Sequence, residues 1–164
     1  MDWIKMLQKE FEYESQTTRK MLACIPDGKY DWKPHEKSMS VRQLSGHIAE
    51  LPSWIAMVVT TDELDFATSP YESPKIDTTA DLLASFEKHL IEGRKHLEML
   101  NENILDQTWI LRNGDQIYQK ETKAVVIRQT YCQIVHHRAQ LGVFLRLLNV
   151  AIPGSYGPSA DESF

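Results

Sequence analysis

Apolar residues recur at intervals of three and four positions in four long stretches of the chain, a pattern typical of amphipathic helices. The pattern predicts four α-helices, over residues 2–24, 40–60, 79–100 and 123–149. Capping signals support three of the helix starts. Asp2 suits the N-cap position, and the pairs Ser40 with Gln43 and Thr78 with Asp81 have the spacing of a capping box. Four long amphipathic helices predict a helical bundle.

The connections between these helices are of unequal length. Residues 61–78 form an acidic stretch with two prolines, which is long for a bundle turn and predicts a crossover along the bundle. Asn113-Gly114 lies between two short mixed runs and predicts a small hairpin before the last helix. Pro52 inside the second helix removes a backbone donor and predicts a kink. The chain is therefore expected to be one all-α domain, 1–164, with the hairpin as an addition.

Composition and charge argue against a nucleic-acid-binding or membrane protein. Hydrophobic residues make up 42% and charged residues 25% of the chain, as in ordinary soluble globular proteins. The net charge is −5 and no face concentrates Lys and Arg, so nucleic-acid binding is not expected. No apolar run is long enough for a bilayer, and the start of the chain lacks signal-peptide features, so we expect a cytoplasmic protein without membrane contact. Cys24 and Cys132 are predicted to be buried free thiols.

Two histidines lie at the centres of predicted core-facing stripes. At about 100° per residue, Leu141 falls within about 40° of His137, and Leu51 and Trp54 fall within about 40° of His47. Burying an imidazole costs free energy unless the ring finds a polar partner. The two rings are on different helices of one bundle and could meet. Either they share a buried hydrogen-bond network, or they bind a metal or take part in catalysis.

Other side chains near these histidines extend the candidate site. Gln133 stands one turn before His137, and an i, i+4 pair can present two side chains to one ion, although Gln is a weak ligand for zinc or nickel. Glu50 lies at the edge of the His47 face and is a candidate ligand or proton acceptor. Three more residues are candidates to line a pocket: Trp54, Tyr131 and His136. For the two aromatic residues, core packing is the simpler alternative.

The blocks HHRAQLGVFLRLLNVAIPGSYGPSADE and WKPHEKSMSVRQLSGHIAEL resemble the signatures of the DinB/YfiT-like superfamily, and the resemblance covers essentially the whole chain. It implies a four-helix bundle of up-down-down-up topology that is often dimeric. Its members typically hold a divalent metal, nickel or zinc among them, with three histidines. Two of these positions correspond to His47 and His137, and the third corresponds to Gln133. Characterised relatives include transferases and isomerases that use bacillithiol or mycothiol.

Two functional hypotheses follow from these residues and the resemblance. The first is a metal-dependent enzyme that transfers a low-molecular-weight thiol to an electrophile, with a hydrolase as a variant. His47 and His137 would then be ligands, Gln133 would orient a water or the substrate, and Glu50 would accept a proton. The second is a non-catalytic bundle whose metal site is weakened or lost because Gln133 occupies a ligand position. The three side chains would then form a buried polar network.

The outer face of the last helix suggests an assembly. It carries small or apolar residues where a solvent-exposed face should be polar: Cys132, Val135, Ala139, Gly142 and Val143. Either this face is packed within the monomer, or it forms an interface, and we expect a homodimer. Arg138, about 100° from His137 around the helix, is expected to bind an acid on a neighbouring element.

Overall fold

A computed structural model describes residues 2–69 and 75–163, and it places four α-helices, two short 3-10 helices and three strands in this part of the chain. The helices are α1 (Trp3–Leu22), α2 (Val41–Thr60), α3 (Thr79–Glu98) and α4 (Lys123–Leu147). The strands are β1 (Glu63–Asp65), β2 (Thr108–Asn113) and β3 (Gln116–Thr122). All four predicted helices are confirmed, with ends that differ from the prediction by two residues or fewer.

The predicted caps start three of the helices. The Asp2 carboxylate accepts a backbone N–H of the first turn of α1. Ser40 and Gln43 form a complete capping box at α2, and Thr78 and Asp81 form another at α3. These bonds satisfy N–H groups that a helix start otherwise leaves without a partner, and they fix where each helix begins.

The helices pack as a four-helix bundle. α1 packs against α3 and α4, and α2 packs against the same two helices, so α1 and α2 lie on one diagonal. Large buried side chains fill the space between them, among them Phe11, Ile48, Phe86, Tyr131 and Leu141. Burial of each large apolar side chain stabilises the fold by roughly 1.5–3 kcal/mol. The up-down-down-up direction of the helices stays a prediction.

α2 and α3 approach closely where Pro52 interrupts the hydrogen-bond ladder of α2. A Cβ built on Gly93 of α3 would lie 2.4 Å from the Pro52 carbonyl oxygen, so only glycine fits at this crossing. One turn away, Nδ1 of His89 is 2.9 Å from the Ala49 carbonyl oxygen. His89 is half-buried between these two helices, where its ring has this backbone partner.

A three-stranded sheet corrects the all-α prediction. The predicted hairpin is confirmed as β2 and β3, and Gly114 at its turn has φ +57°, where glycine is favoured. β1 comes from the linker after α2 and pairs in parallel with β2, giving the order β1-β2-β3. Asp65 holds this strand in place, since its carboxylate accepts the backbone N–H groups of Ala67 and Gly114. Residues 70–74 of the predicted crossover lie outside the described residues.

The segment after α4 folds back over the bundle and is joined to it by Arg138. Arg138 is buried, with 2% of its surface exposed. It donates to Glu14 Oε2 of α1 at 2.6 Å, to Thr18 Oγ1 at 3.1 Å and to Ser155 Oγ of the final segment at 3.0 Å. The prediction that Arg138 binds an acid on a neighbouring element is therefore confirmed. Tyr156 also donates to the Glu14 carboxylate.

The outer face of α4 is covered only in part. Gly142 is buried, and a Cβ there would meet Met21 and Ile152, so the returning segment packs on this stretch of the helix. Val143 remains 60% exposed. Cys132 is exposed, which corrects the prediction of a buried thiol, because its position on α4 faces away from the bundle core. No helix in the described ranges has the length and apolar character needed to cross a bilayer.

Candidate functional site

His47 of α2 and His137 of α4 meet where the two helices pack together. Their ring centroids are 4.8 Å apart and the ring planes are inclined at 77°, so the contact is edge to face. Both side chains are half-buried. The predicted meeting of two inward-facing histidines is therefore observed.

Each ring is held by an acceptor three residues further along its own helix. Nδ1 of His47 is 2.7 Å from Glu50 Oε1, and Nδ1 of His137 is 2.8 Å from Gln140 Oε1. Carboxylate and carbonyl oxygens only accept hydrogen bonds, so each Nδ1 carries the hydrogen. In the neutral ring the lone pair then lies on Nε2, and the described residues make no hydrogen bond to either Nε2. Histidines that bind metals are commonly oriented in this way.

His137 is biased toward its neutral form. Burial lowers its pKa below the ordinary value, and the neighbouring rings of His47 and His136 lower the pKa further. The hydrogen bond from Nδ1 to Gln140 acts in the opposite direction and favours the protonated ring. Because burial is the largest cause, the pKa is lowered overall. At neutral pH the ring therefore offers a lone pair rather than a positive charge.

Gln133 and His136 lie around this pair but are not buried with it. Gln133 is exposed, one turn before His137, and lines the same cavity as His47. His136 is exposed too, with its ring 4.9 Å from that of His137. In residues 2–69 and 75–163, no group of three or more His, Cys, Asp or Glu side chains is arranged to hold a metal ion. The strong donors of the site are therefore two imidazoles, with an amide as the third side chain.

A cavity of about 160 Å³ adjoins His47 and is enclosed by α2, α4 and the β2–β3 hairpin. Its apolar wall consists of Leu51, Trp54, Trp109, Leu111 and Val126. Its polar wall consists of His47, Gln119, Gln129, Thr130 and Gln133. The hairpin side of this wall was not found from the sequence; it consists of Trp109, Leu111 and Gln119. Their only signal was the Asn-Gly turn, which indicates a hairpin but not what the hairpin covers.

The three candidate pocket residues are in different environments. Trp54 lines the cavity, and its ring centroid lies 6.2 Å from that of His47. Tyr131 lies instead in the core, fully buried, and its hydroxyl donates to the Leu7 carbonyl oxygen at 3.0 Å. Burial raises the pKa of Tyr131, so the phenol stays protonated. The prediction that Tyr131 borders the pocket is therefore corrected. His136 is exposed beside His137 and is absent from the cavity wall.

His137 faces a second, more open groove of about 400 Å³. This groove is also lined by Met39, Leu44, Gln140 and Phe144. Since the two rings are in contact, the histidine pair separates the enclosed cavity from the open groove. One reactive centre at the pair could therefore be reached from two sides.

Comparison with known proteins agrees with this architecture. A sequence model described as the DinB family matches residues 3–163. The uncharacterised protein YrdA of Bacillus subtilis is 21% identical over 154 residues, which cover 94% of this chain and 88% of YrdA. The crystal structure of a DinB-like protein of Bacillus subtilis is similar, with a TM-score of 0.71 and 22% identity over 92% of this chain and 96% of that one.

A further similarity is to YfiT of Bacillus subtilis, described as a probable metal-dependent hydrolase with an unusual four-helix bundle topology. Its structure gives a TM-score of 0.66 at 14% identity, over 90% of this chain and 89% of YfiT. At these identities the structural similarities establish the fold alone. The family match covers all four helices and the returning segment, and the chain belongs to the DinB family.

Proposed function

We propose that this chain is a metal-dependent enzyme in which Nε2 of His47 and Nε2 of His137 bind a divalent ion, nickel or zinc. The observation that carries the proposal is the ring pair. Two imidazoles from different helices pack together with their ring centroids 4.8 Å apart, and each Nδ1 donates to its own acceptor. Imidazole suits both metals as a ligand, and the neutral ring donates through the nitrogen that lacks the hydrogen.

The donor set fits a divalent ion that keeps open positions. Gln133 would supply its amide oxygen or hold a water, because it lines the same cavity as His47. Two imidazoles and one weak oxygen ligand hold an ion less tightly than three histidines, and they leave more positions for substrate. Catalytic sites keep at least one such position, whereas structural sites are closed by protein ligands.

The reaction we propose is transfer of a low-molecular-weight thiol to an electrophile. A divalent ion at the histidine pair would lower the pKa of a thiol bound to it, and the thiolate is the nucleophile. The sulfur–carbon bond forms as the electrophile loses its leaving group with the bonding electron pair. Glu50, hydrogen-bonded to His47, would accept the thiol proton. The open groove beside His137 offers about 400 Å³ for the thiol.

Hydrolysis is the second candidate reaction, and the description of YfiT as a probable metal-dependent hydrolase favours it. Water would then replace the thiol as the nucleophile, and the same residues would hold the ion. A non-catalytic bundle is the third outcome. It is favoured by Gln133 at a ligand position, and it would leave the two histidines and Gln133 as a polar network without an ion.

Metal content tests the proposal directly. Untagged protein would be analysed by inductively coupled plasma mass spectrometry as wild type, His47→Ala, His137→Ala and Gln133→His. We expect near-stoichiometric metal in wild type, loss of metal in both alanine variants, and tighter binding in Gln133→His, which adds a third imidazole. Metal in wild type that persists in both alanine variants would place the ion elsewhere.

Stability measurements separate the enzyme from the non-catalytic bundle. A ligand that binds only the folded state raises the melting temperature, so added nickel or zinc should stabilise the wild type. Metal bound only by Gln133→His, with no stabilisation of the wild type, would establish the non-catalytic alternative. The loaded wild type would then be tested with a thiol and a panel of electrophiles. Conjugation supports the transferase, and hydrolysis without thiol consumption supports the second reaction.

A further inference from the structure

We infer that the enclosed cavity beside His47 takes an uncharged, ring-sized group of the substrate that carries one hydrogen-bonding function. The inference deepens the proposed function and rests on it in one respect. Because the proposed function places the thiol in the groove beside His137, the cavity with His47 in its wall is left for the electrophile. The class of ligand follows from the size, polarity and charge of the wall itself.

Size sets the first limit. The cavity holds about 160 Å³, and a protein cavity of about 150 Å³ is known to bind benzene. One six-membered ring therefore fills the space, and a substituent can extend through the open side. Trp54 and Trp109 offer aromatic surface to such a ring. The Trp109 N–H already donates to Thr61 Oγ1 at 3.1 Å, so this indole contributes its apolar surface rather than a free donor. Aromatic groups pack favourably on indoles.

The absence of charge sets the second limit. The ten wall residues include no Asp, Glu, Lys or Arg, and His47 is the single titratable one among them. Lys123, at the start of α4, is paired with Asp62 at 3.1 Å, and the Glu50 carboxylate is engaged by His47. A charged group entering the cavity would lose hydration and find no counter-charge, which is costly. The cavity therefore favours a neutral group over an anion or a cation of the same shape.

Hydrogen-bonding groups set the third limit. Gln119 donates to Gln129 across the cavity wall, and Gln133 lies one turn further along α4. Carboxamides both donate and accept, so together they suit an amide, a carbonyl or a hydroxyl group. Thr130 donates its hydroxyl hydrogen to the Val126 carbonyl oxygen at 3.1 Å, so it offers an acceptor only. A neutral aromatic amide satisfies these requirements.

Three probes of one shape and different charge test the inference: benzamide, benzoate and benzamidinium. They would be titrated at neutral pH into the full chain in the presence of a chelator, so that a metal does not contribute to binding. The indole N–H resonances of Trp54 and Trp109 report on the cavity, while Trp3, which is 57% exposed and outside the wall, controls for non-specific binding. We expect benzamide to shift the two cavity resonances and to bind at least about tenfold more tightly than either charged probe.

A charge-swap variant sharpens the result. Gln129→Glu adds a carboxylate at an exposed wall position, so benzamidinium should gain affinity relative to benzamide. Gln16→Glu makes the same change at an exposed position of α1 outside the cavity and should leave the order of the three probes unchanged. Equal binding of the charged probes to the wild type, or no shift at Trp54 and Trp109 with benzamide, would overturn the inference.

These results separate the cavity from the metal site. Benzamide binding without metal in the mass-spectrometric analysis would keep the cavity as a ligand site and remove the proposed metal-dependent chemistry. Metal without benzamide binding would keep the proposed function and overturn the assignment of the neutral substrate group.

Discussion

At the scale of single residues, the two histidines differ in what holds them. His47 donates to a carboxylate, Glu50, whereas His137 donates to a carboxamide, Gln140. A carboxylate partner makes an imidazole more basic and a better donor to a metal than an amide partner does. The burial that lowers the pKa of His137 acts in the opposite direction. The pair therefore combines one ring oriented by a carboxylate with one ring whose burial favours the neutral form.

This difference predicts a pH dependence of stability in chelator-treated protein. The pKa of His137 is lowered from 6.5 in the folded state, so the unfolded chain binds this proton more readily. The contribution of a neutral His137 to the free energy of unfolding is fully present above pH 6.5. It is lost as the pH falls through the lower, folded-state pKa. Urea unfolding between about pH 8 and about pH 5 should show stability falling with pH, with a shallower fall in His137→Gln. Equal slopes for the two proteins would contradict the prediction.

The residue scale also shows where sequence reasoning succeeded and where it stopped. His47 and His137 were found because helical periodicity fixes which side chains share a face: residues three and four positions apart lie on the same side of a helix. Trp109 and Gln119 were not found, since their place depends on the pairing register of β2 with β3 and on how the hairpin lies over α2 and α4. Neither is encoded in local spacing.

At the scale of elements, the contact of α2 with α3 depends on glycine opposite proline. Gly93→Ala would place a Cβ 2.4 Å from the Pro52 carbonyl oxygen and 3.1 Å from Phe11 Cζ. Since one contact is with backbone, the helices must move apart, and we expect a loss of about 1–3 kcal/mol in the free energy of unfolding. Urea denaturation measures it.

The matched control is Gly28→Ala, because a Cβ at Gly28 meets nothing within 4 Å. This change should leave stability unaltered or slightly increased, since alanine restricts the unfolded chain. A neutral Gly93→Ala would mean that α2 and α3 adjust without cost at this crossing.

The elements were predicted better than their connections. Each helix carries its own periodicity and caps, so its existence and bounds follow from local residues such as Ser40 and Gln43. β1 was missed because three residues, Glu63–Asp65, are too short for a period to be recognised, and they became a strand through partners on β2. Long-range pairing of this kind has no local signature.

At the scale of the whole molecule, the buried pair of Arg138 and Glu14 joins α4, α1 and the returning segment. Their side chains are 3% and 4% exposed. Arg138→Met would leave the Glu14 carboxylate buried without its counter-charge, and we expect a loss of about 3–5 kcal/mol in the free energy of unfolding. Thermal and urea unfolding measure the change.

A double variant serves as the control for this pair. Glu14→Met with Arg138→Met removes both charges and should be more stable than Arg138→Met alone, because no unpaired charge stays buried. If the double variant loses at least as much stability as the single one, the packing of the Arg138 side chain is the dominant contribution rather than its charge.

We also propose that the chain forms a homodimer through the uncovered part of the outer face of α4. Val143 and Leu147 are 60% and 58% exposed, and apolar surface of this kind favours association. Light scattering at micromolar concentration should give twice the chain mass of 19.0 kDa, and Val143→Glu should give a monomer. Ile91→Glu, at a residue of α3 that is 63% exposed, should leave the dimer intact. A monomeric wild type would refute the proposal.

The parallel pairing of β1 with β2 has a consequence for the order in which the molecule assembles during folding. The pair joins Glu63 to Ile110, residues far apart in the chain, whereas each helix forms from neighbours. Contacts between residues distant in the chain must overcome the entropic cost of closing the loop between them. They therefore form slowly unless structure formed earlier brings the two ends together. We therefore expect the bundle to form first and the sheet afterwards. Because β2 supplies Trp109 and Leu111, the cavity beside His47 would be the last part of the molecule to become native.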